Sequence, residues 1–438
     1  MGTALLLGAC GGGSGSGSSS GGGLIPMCAN LAQANAVLGQ SSFTGGSPNA
    51  GGVSASGLSG GLGSAGGTGS GPFYVADTGN NRVLVYNATP ASSGLAANFV
   101  LGQADASSTV SGTGAHDGSP FGLNHPAKAW VDPSGSYLAV ADSGNSRVLI
   151  WHPLPTANVA PTIVIGQADL GGGDSNQANA APSASTLSNP TGVAIAGGKL
   201  VVADTGNSRV LVWNSIPATG QSADVVLGQT DFVSGTAGSV DIFNNATQTY
   251  SLRMNLPDDA WSDGSHLLVA DTGNNRVLYW SAMPTTQDQL ATSVLGVDKF
   301  GDTAPPSGSA GQTGFAFPSA LASDGVDVLV ADTGNNRVLR FASYLAAPSN
   351  DKAADDVFGQ STFFNVQHND PDQNNVVGDQ SVNPNTSGIT AGTLYTPTGL
   401  VMLPGGQFWV GDSGNARMLR FAVASGVDGS QPQVPCGK

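Results

Sequence analysis

Six Asp residues, Asp77, Asp142, Asp204, Asp271, Asp332 and Asp412, are each followed five residues later by an Arg: Arg82, Arg147, Arg209, Arg276, Arg337 and Arg417. A carboxylate and a guanidinium at a fixed spacing could hold a substrate, or could bind the chain to itself through charge-assisted hydrogen bonds. One enzyme rarely carries six identical sites, so the second reading is the expectation. Five His are present, His116, His125, His152, His266 and His368, and none recurs at an equivalent place from one repeat to the next, as a three-His zinc site would ask. Asp370, Asp372, Asn374 and Asp379 place oxygen ligands at mostly alternate positions in the segment 361–394. That could suit calcium, but the Gly of a tight calcium loop is missing, and a solvated acidic loop is the default. All 29 acidic residues are Asp, so no glutamate base or glutamate ligand exists anywhere. No Gly-x-Ser-x-Gly elbow and no Cys/His pair supports a nucleophile, since that pattern occurs only within Gly/Ser-rich stretches, at residues 17–21 and 57–61. No catalytic residue, metal ligand or cofactor is therefore assigned.

The elements that carry these groups repeat. The pattern Ala-Asp-Thr-Gly-Asn-Asn-Arg-Val-Leu recurs six times with small substitutions, at intervals of 61 to 80 residues. A motif of the Val-Leu-Gly-Gln type precedes every copy, near Val37, Val100, Val164, Val226, Val294 and Val357. Such a period means one closed or stacked array rather than unrelated domains. In the unit 224–280, Val225 to Gln229 reads as a short strand and the residues through Asn255 as a long polar loop. Leu256 to Trp261 reads as a second strand with Pro at its start, where a missing N–H is tolerated. Leu267 to Ala270 is almost wholly apolar, as expected for a strand buried on both faces. Asp271 to Asn275 is the turn; its Asp accepts from turn backbone, and its Gly and Asn tolerate positive φ. Arg276 to Trp280 is the fourth strand. The Arg faces the Asp across the hairpin and can donate a forked pair to it or to a neighbouring unit. Strand four ends in an aromatic each time: Tyr86, Trp151, Trp213, Trp280, Phe341 and Phe421. Phe43, Phe232 and Phe363 recur shortly after the Gly-Gln pair and read as loop anchors.

With a Pro some 14 to 16 residues before the Asp, this pattern resembles the NHL repeat, and the added Val-Leu-Gly-Gln strand resembles the bacterial, exported variety of that family. The resemblance covers roughly residues 36 to 424. The sixth unit departs at Gly411, Ala416 and Met418, and the first carries Gly61 in place of the Pro. The family implies an all-β fold, a six-bladed β-propeller. Its Val37 strand has no partner before it, and the last three strands, near Thr398, Phe408 and Arg417, lack a fourth. The N-terminal strand should therefore join the last blade and close the ring. Some related propellers are lyases with a zinc held by channel His, and lactonases of similar blade number use a metal-binding Glu; this chain matches neither set.

Charge and the N-terminal end bound the partners. Net charge is −15 with only 14 Lys plus Arg, six of them in the repeat motif, so nucleic acid and anionic membrane surfaces are not expected. Leu5-Leu6-Leu7-Gly8-Ala9-Cys10 resembles a bacterial lipobox, although Met1 to Ala4 carries no basic residue. Residues 1–10 are thus read as a lipoprotein-type signal with lipidation at Cys10, 11–27 as a Gly/Ser-rich tether, and 28–438 as the propeller. In an oxidising envelope the remaining pair, Cys28 and Cys436, is expected to form a disulfide beside the closing strand. The resulting expectation is an exported, lipid-anchored monomer, at the outer membrane or cell surface. It would bind protein or glycan through the loop face without chemistry. A metal-dependent lyase or hydrolase with a channel site and an architectural surface component are the alternatives. Channel lining discriminates: converging His and Asp would favour an enzyme.

Overall fold

The computed structural model describes residues 27–28, 31–69, 71–114, 120–238, 242–244, 249–297, 310–369, 388–426 and 434–435. Short apolar runs separated by turn residues form strands, and each repeat folds as one four-stranded antiparallel sheet. Blade four shows the plan: Pro257–Ser262, Leu267–Asp271, Arg276–Trp280 and Ser293–Leu295 pair in that order. The inner strands of the six blades are Ala65–Gly67, Pro126–Val131, Gly192–Ala196, Pro257–Ser262, Pro318–Ser323 and Pro397–Leu403. Each packs on the inner strands of the blades beside it, so the six surround a central channel.

The ring closes as the orphan strand implies. Ala36–Leu38 pairs antiparallel with Arg417–Ala422, with Ala36, Val37 and Leu38 opposite Arg420, Leu419 and Met418. Blade six is thus built from both ends of the propeller. Arg420 strengthens the seam by donating to the side-chain oxygen of Asn35 at 2.6 Å and to the carbonyls of Pro90 and Ala91.

The core lies between blades, because alternate residues of one strand face opposite neighbours. Val83 and Val85 pack with Val131, Leu138 and Trp151 of blade two, whereas Leu84 and Tyr86 pack with Trp409 and Met418 of blade six. Leu267 to Ala270 is fully buried. The indoles of Trp151, Trp213 and Trp280 bury their rings and donate to the carbonyls of Val159, Gln221 and Gln289.

Four local expectations need correction. Ladder register places Leu62, not Gly61, where the other blades carry the proline, since Ala65 opposes Val75 as Ala129 opposes Val140. The first inner strand has only three residues. The turn glycine is not the positive-φ residue; the left-handed position is the fifth, at Asn81, Ser146, Ser208, Asn275, Asn336 and Ala416. The turn Gly is needed for close approach instead: a Cβ on Gly273 would sit 2.5 Å from the Asn255 side chain and 2.7 Å from its carbonyl oxygen. Finally, Met27, read as the end of a tether, is in a strand: Met27–Cys28 pairs with Val434–Pro435. A hairpin of Ile242–Asn244 with Thr249–Ser251 also occupies part of the segment read as loop.

Cys10 and Cys436 lie outside the described residues, as do His116 and the Asp370, Asp372, Asn374 and Asp379 group.

Candidate functional site

The six Asp/Arg pairs are buried ion pairs, each closing its own hairpin. In blade three, Asp204 accepts the Ser188 amide at 2.7 Å on Oδ1, and the Asn207 side chain at 2.8 Å and Arg209 Nε at 2.7 Å on Oδ2. Both residues are wholly buried. Arg209 does not fork onto the carboxylate. Its Nη1 donates to the Phe232 carbonyl at 2.5 Å, and its Nη2 to the carbonyls of Ser183 and Thr186 at 2.8 and 3.0 Å. One guanidinium thereby ties its own turn to the loop that enters the blade and the loop that leaves it. The same pattern puts the carbonyls of Phe43 and Phe363 on Arg417 and Arg337. Phe43, Phe232 and Phe363 thus mark the point where each loop is held.

The rest of the motif is consumed as well. The Thr hydroxyl staples its blade to the next: Thr78, Thr205 and Thr272 donate to the carbonyls of Pro126, Pro257 and Pro318 at 2.6 to 2.7 Å. The second Asn reaches the same place; Asn81 and Asn275 accept the amides of His125 and Phe317 at 2.9 and 2.8 Å. The Gln of Val-Leu-Gly-Gln bridges turn and loop, with Gln229 donating to Ser208 at 3.0 Å and Thr236 at 2.9 Å. Sequence reasoning missed these Thr and Gln roles, although their recurrence was the available signal.

These contacts place the turns and the long loops on one face. Of the nine large apolar side chains exposed among the described residues, five stand on that face, Val110, Val233, Leu256, Phe317 and Phe364, and the other four, Leu95, Val159, Leu290 and Val326, stand in connections at the opposite end of the strands. Leu256 and Phe317 precede the inner-strand prolines and hold positive φ, as do His125, Asn189 and Thr396 at the equivalent places. Strained non-glycine backbone persists only where surrounding structure enforces it. The hydrogen bonds that their amides donate to side chains of the preceding turn provide that enforcement, and the result is a rim of residues around the channel mouth.

The mouth itself is polar. A cavity of about 140 Å³ is lined by Ser64, Thr78, Thr191, Asp258, Asp259, Ser319 and Thr398, among others. Asp258 and Asp259 are consecutive, yet both line it, because a bulge between Pro257 and Asp259 breaks the alternation of a regular strand. Asp259 is paired across the channel: Lys128 Nζ lies 2.5 Å from its Oδ1 and 3.0 Å from the Ala260 carbonyl, and Oδ2 accepts the Leu321 amide at 2.9 Å. Lys128, Asp258 and Asp259 were not singled out from sequence, because nothing in the local pattern joins blade two to blade four.

Asp258 has no such cation. Burial, aided by the charge of Asp259 and opposed by a hydrogen bond from Thr191, pushes its carboxyl up to about 6. A carboxyl raised in the folded state stabilises the fold below the unfolded value near 4, and that contribution is lost as pH rises through 6. At neutral pH the ionised group then costs up to about 3 kcal/mol. Asp258→Asn is accordingly expected to melt higher than the parent near pH 7.5, with the gap closing near pH 4. Thermal melts at the two pH values check this, and an Asn variant no more stable at pH 7.5 would show that Asp258 is not held at a cost.

The four described His do not converge. His125 bonds Asn124, His266 bonds Asp263, and His152 and His368 stack on Tyr137 and Tyr395. Among the described residues no three His, Cys or Asp side chains gather in a metal-binding group.

A model of the NHL repeat matches residues 187–213 and 394–421, which lie in blades three and six. No curated protein matches. Solved structures similar to this chain include hydrazine synthase of Kuenenia stuttgartiensis, 11% identical with a TM-score of 0.44, covering 83% of this chain and 96% of that one. A streptogramin B lyase is 11% identical with a TM-score of 0.39 over 84% and 95% of the two chains. The virginiamycin B lyase of Staphylococcus aureus is 8% identical with a TM-score of 0.38 over 83% and 94%. Blade number and closure rest on the strand pairing, which makes this chain a six-bladed β-propeller, and two of its blades match the NHL repeat.

Proposed function

We propose that this propeller is an exported, lipid-anchored binding module that takes a protein partner on its loop face and performs no chemistry. The observation that carries the reading is the distribution of side chains on that face. The recurrent polar groups are spent on the framework, while Val110, Val233, Leu256, Phe317 and Phe364 stand exposed above them. Apolar side chains grouped on one face of a protein mark an interaction surface. A glycan would call for more free hydrogen-bonding groups than that rim presents.

The discriminating experiment is capture from envelope extract with the soluble propeller, in three versions. The parent and an Asp324→Asn control on the opposite face should retain the same partner. A Leu256→Asp/Phe317→Asp variant with an unchanged melt should lose it. Retention by the double variant would remove the loop face as the docking surface.

Export and anchoring have their own readouts in the same preparation. A fatty-acid analogue should label the parent and not Cys10→Ser. Non-reducing peptide mapping should find Cys28 joined to Cys436. The backbone pairing of Cys28 with Val434 supports that bridge, since it brings the two ends of the chain together. Equal labelling of parent and variant would dismiss the anchor, and two alkylated free thiols would dismiss the bridge.

A further inference from the structure

The far end of the channel has a chemistry of its own. Inner strands run away from the turns, and their last residues enclose a cavity of about 390 Å³ on the face opposite the loops. That volume falls in the range of about 300–1,000 Å³ typical of small-molecule pockets. Its walls are Trp130, Trp261, Leu321, Leu400, Met402 and Leu403, contributed by blades two, four, five and six. Blade one contributes Gly66 and Gly67, which leave the space open on that side.

The lining is fixed rather than loose. Trp130 donates its indole N–H to the Ile195 carbonyl at 2.9 Å, leaning across blade three, and Lys128 Nζ lies 4.9 Å from its ring centroid. Trp261 is almost fully buried. At the mouth stand two carboxylates from neighbouring blades, Asp263 and Asp324, and among the described residues no Lys, Arg or His lines the cavity. Asp324 caps its own turn by accepting the amides of Val326 and Asp327 at 3.0 and 2.8 Å. Asp263 does the same for Ser265 and His266 at 2.8 and 2.7 Å, and its Oδ2 meets His266 Nδ1 at 2.7 Å. Partial burial works to raise the Asp263 carboxyl, but these hydrogen bonds outweigh it and leave the group below the ordinary carboxylate range. The mouth is therefore anionic above an apolar, aromatic interior.

We propose that this far-face cavity binds a small amphiphilic monocation, its apolar or aromatic body against Trp130, Trp261 and Met402 and its ammonium group at Asp263 and Asp324. Burial of the body supplies affinity, and the two carboxylates supply the preference of charge. This site is independent of the partner assigned to the loop face.

Calorimetric titration of the whole protein with benzyltrimethylammonium, benzyl alcohol and benzenesulfonate tests it. The cation should bind saturably and most tightly, the neutral compound more weakly, and the anion weakest. An Asp263→Asn/Asp324→Asn variant keeps the turn-capping acceptors. It should bind the cation roughly threefold to tenfold more weakly, as partly exposed charge pairs allow, and leave the alcohol unchanged. Met402→Trp fills the cavity and should abolish binding of all three while the protein still melts cooperatively. Should Met402→Trp fail to fold, competition by the longer dodecyltrimethylammonium and quenching of tryptophan fluorescence by the bound cation give the same answer. Absence of saturable binding, an anion that binds as well as the cation, or cation binding unchanged in a folded Met402→Trp protein would each overturn the assignment.

Discussion

Arg209→Ala lowers the stability of the propeller by about 3–5 kcal/mol, the cost of removing one partner of a buried ion pair. The size follows from what is left behind. Asp204 has no access to water, and Arg209 Nε is its only cationic partner among the described residues. Three carbonyls, of Phe232, Ser183 and Thr186, lose their donor in the same step. Burial already pushes the Asp204 carboxyl up, with Arg209 and the hydrogen bonds of Asn207 and Ser188 opposing it. Without Arg209 the carboxyl should take up a proton more readily, so the variant is expected to lie nearer the parent at pH 5 than at pH 8. Chemical denaturation at the two pH values measures both quantities. A variant that unfolds like the parent, or a deficit that does not shrink at low pH, would mean that the pairing is not what holds the blade. Arg276→Ala should behave alike, because the same geometry joins Asp271 and Arg276 at 2.7 Å.

Deleting residues 30–42 should leave no stable monomer. Ala36, Val37 and Leu38 are fully buried, and the last two alone contribute about 3–6 kcal/mol of burial. The deletion also removes the Gln40 amide, which donates to Ser47 and Ala416 at 2.9 Å, and the Asn35 contact of Arg420. What remains is Arg417–Ala422 as an uncovered sheet edge, the feature that templates edge-to-edge association. Size-exclusion chromatography should find aggregates or oligomers, and the melt should broaden and fall. The single substitution Leu38→Asp disturbs the same seam without shortening the chain, and should destabilise it in the same direction. A monomeric deletion variant with the parent's melting temperature would show that the ring does not depend on this strand for closure.

Several features were legible because they are local. Turn chemistry and the length of apolar runs read out four strands per repeat, and the motif Arg announced itself by recurring beside an apolar run. Even the ring closure was legible, since counting strands leaves one without a partner at each end. The reading failed where two repeats touch. The turn glycine looked like a positive-φ residue, but its small size serves the backbone of the strand entering the blade. Thr205 looked like an ordinary turn residue, yet its hydroxyl is spent on Pro257 of the next blade, 52 positions away. The Arg was expected to fork onto its Asp or onto a neighbouring unit, and instead only Nε meets the Asp while loop carbonyls take the terminal nitrogens.

The amino-acid sequence by itself determined the all-β class, the six blades, the facing of Asp and Arg across each hairpin and the closing strand. These follow from period, strand patterning and hairpin register, which act over a few residues and repeat. The tertiary structure alone decided the two ends of the channel. Lys128 meets Asp259 across 131 positions, Asp258 reaches the same cavity through a bulge, and Trp130, Trp261 and Met402 close a far-face pocket drawn from three blades. The physical reason is that a channel wall consists of one short strand from every repeat. Which side chains converge there depends on closing the ring and on where each inner strand bulges, and neither is encoded within any one repeat.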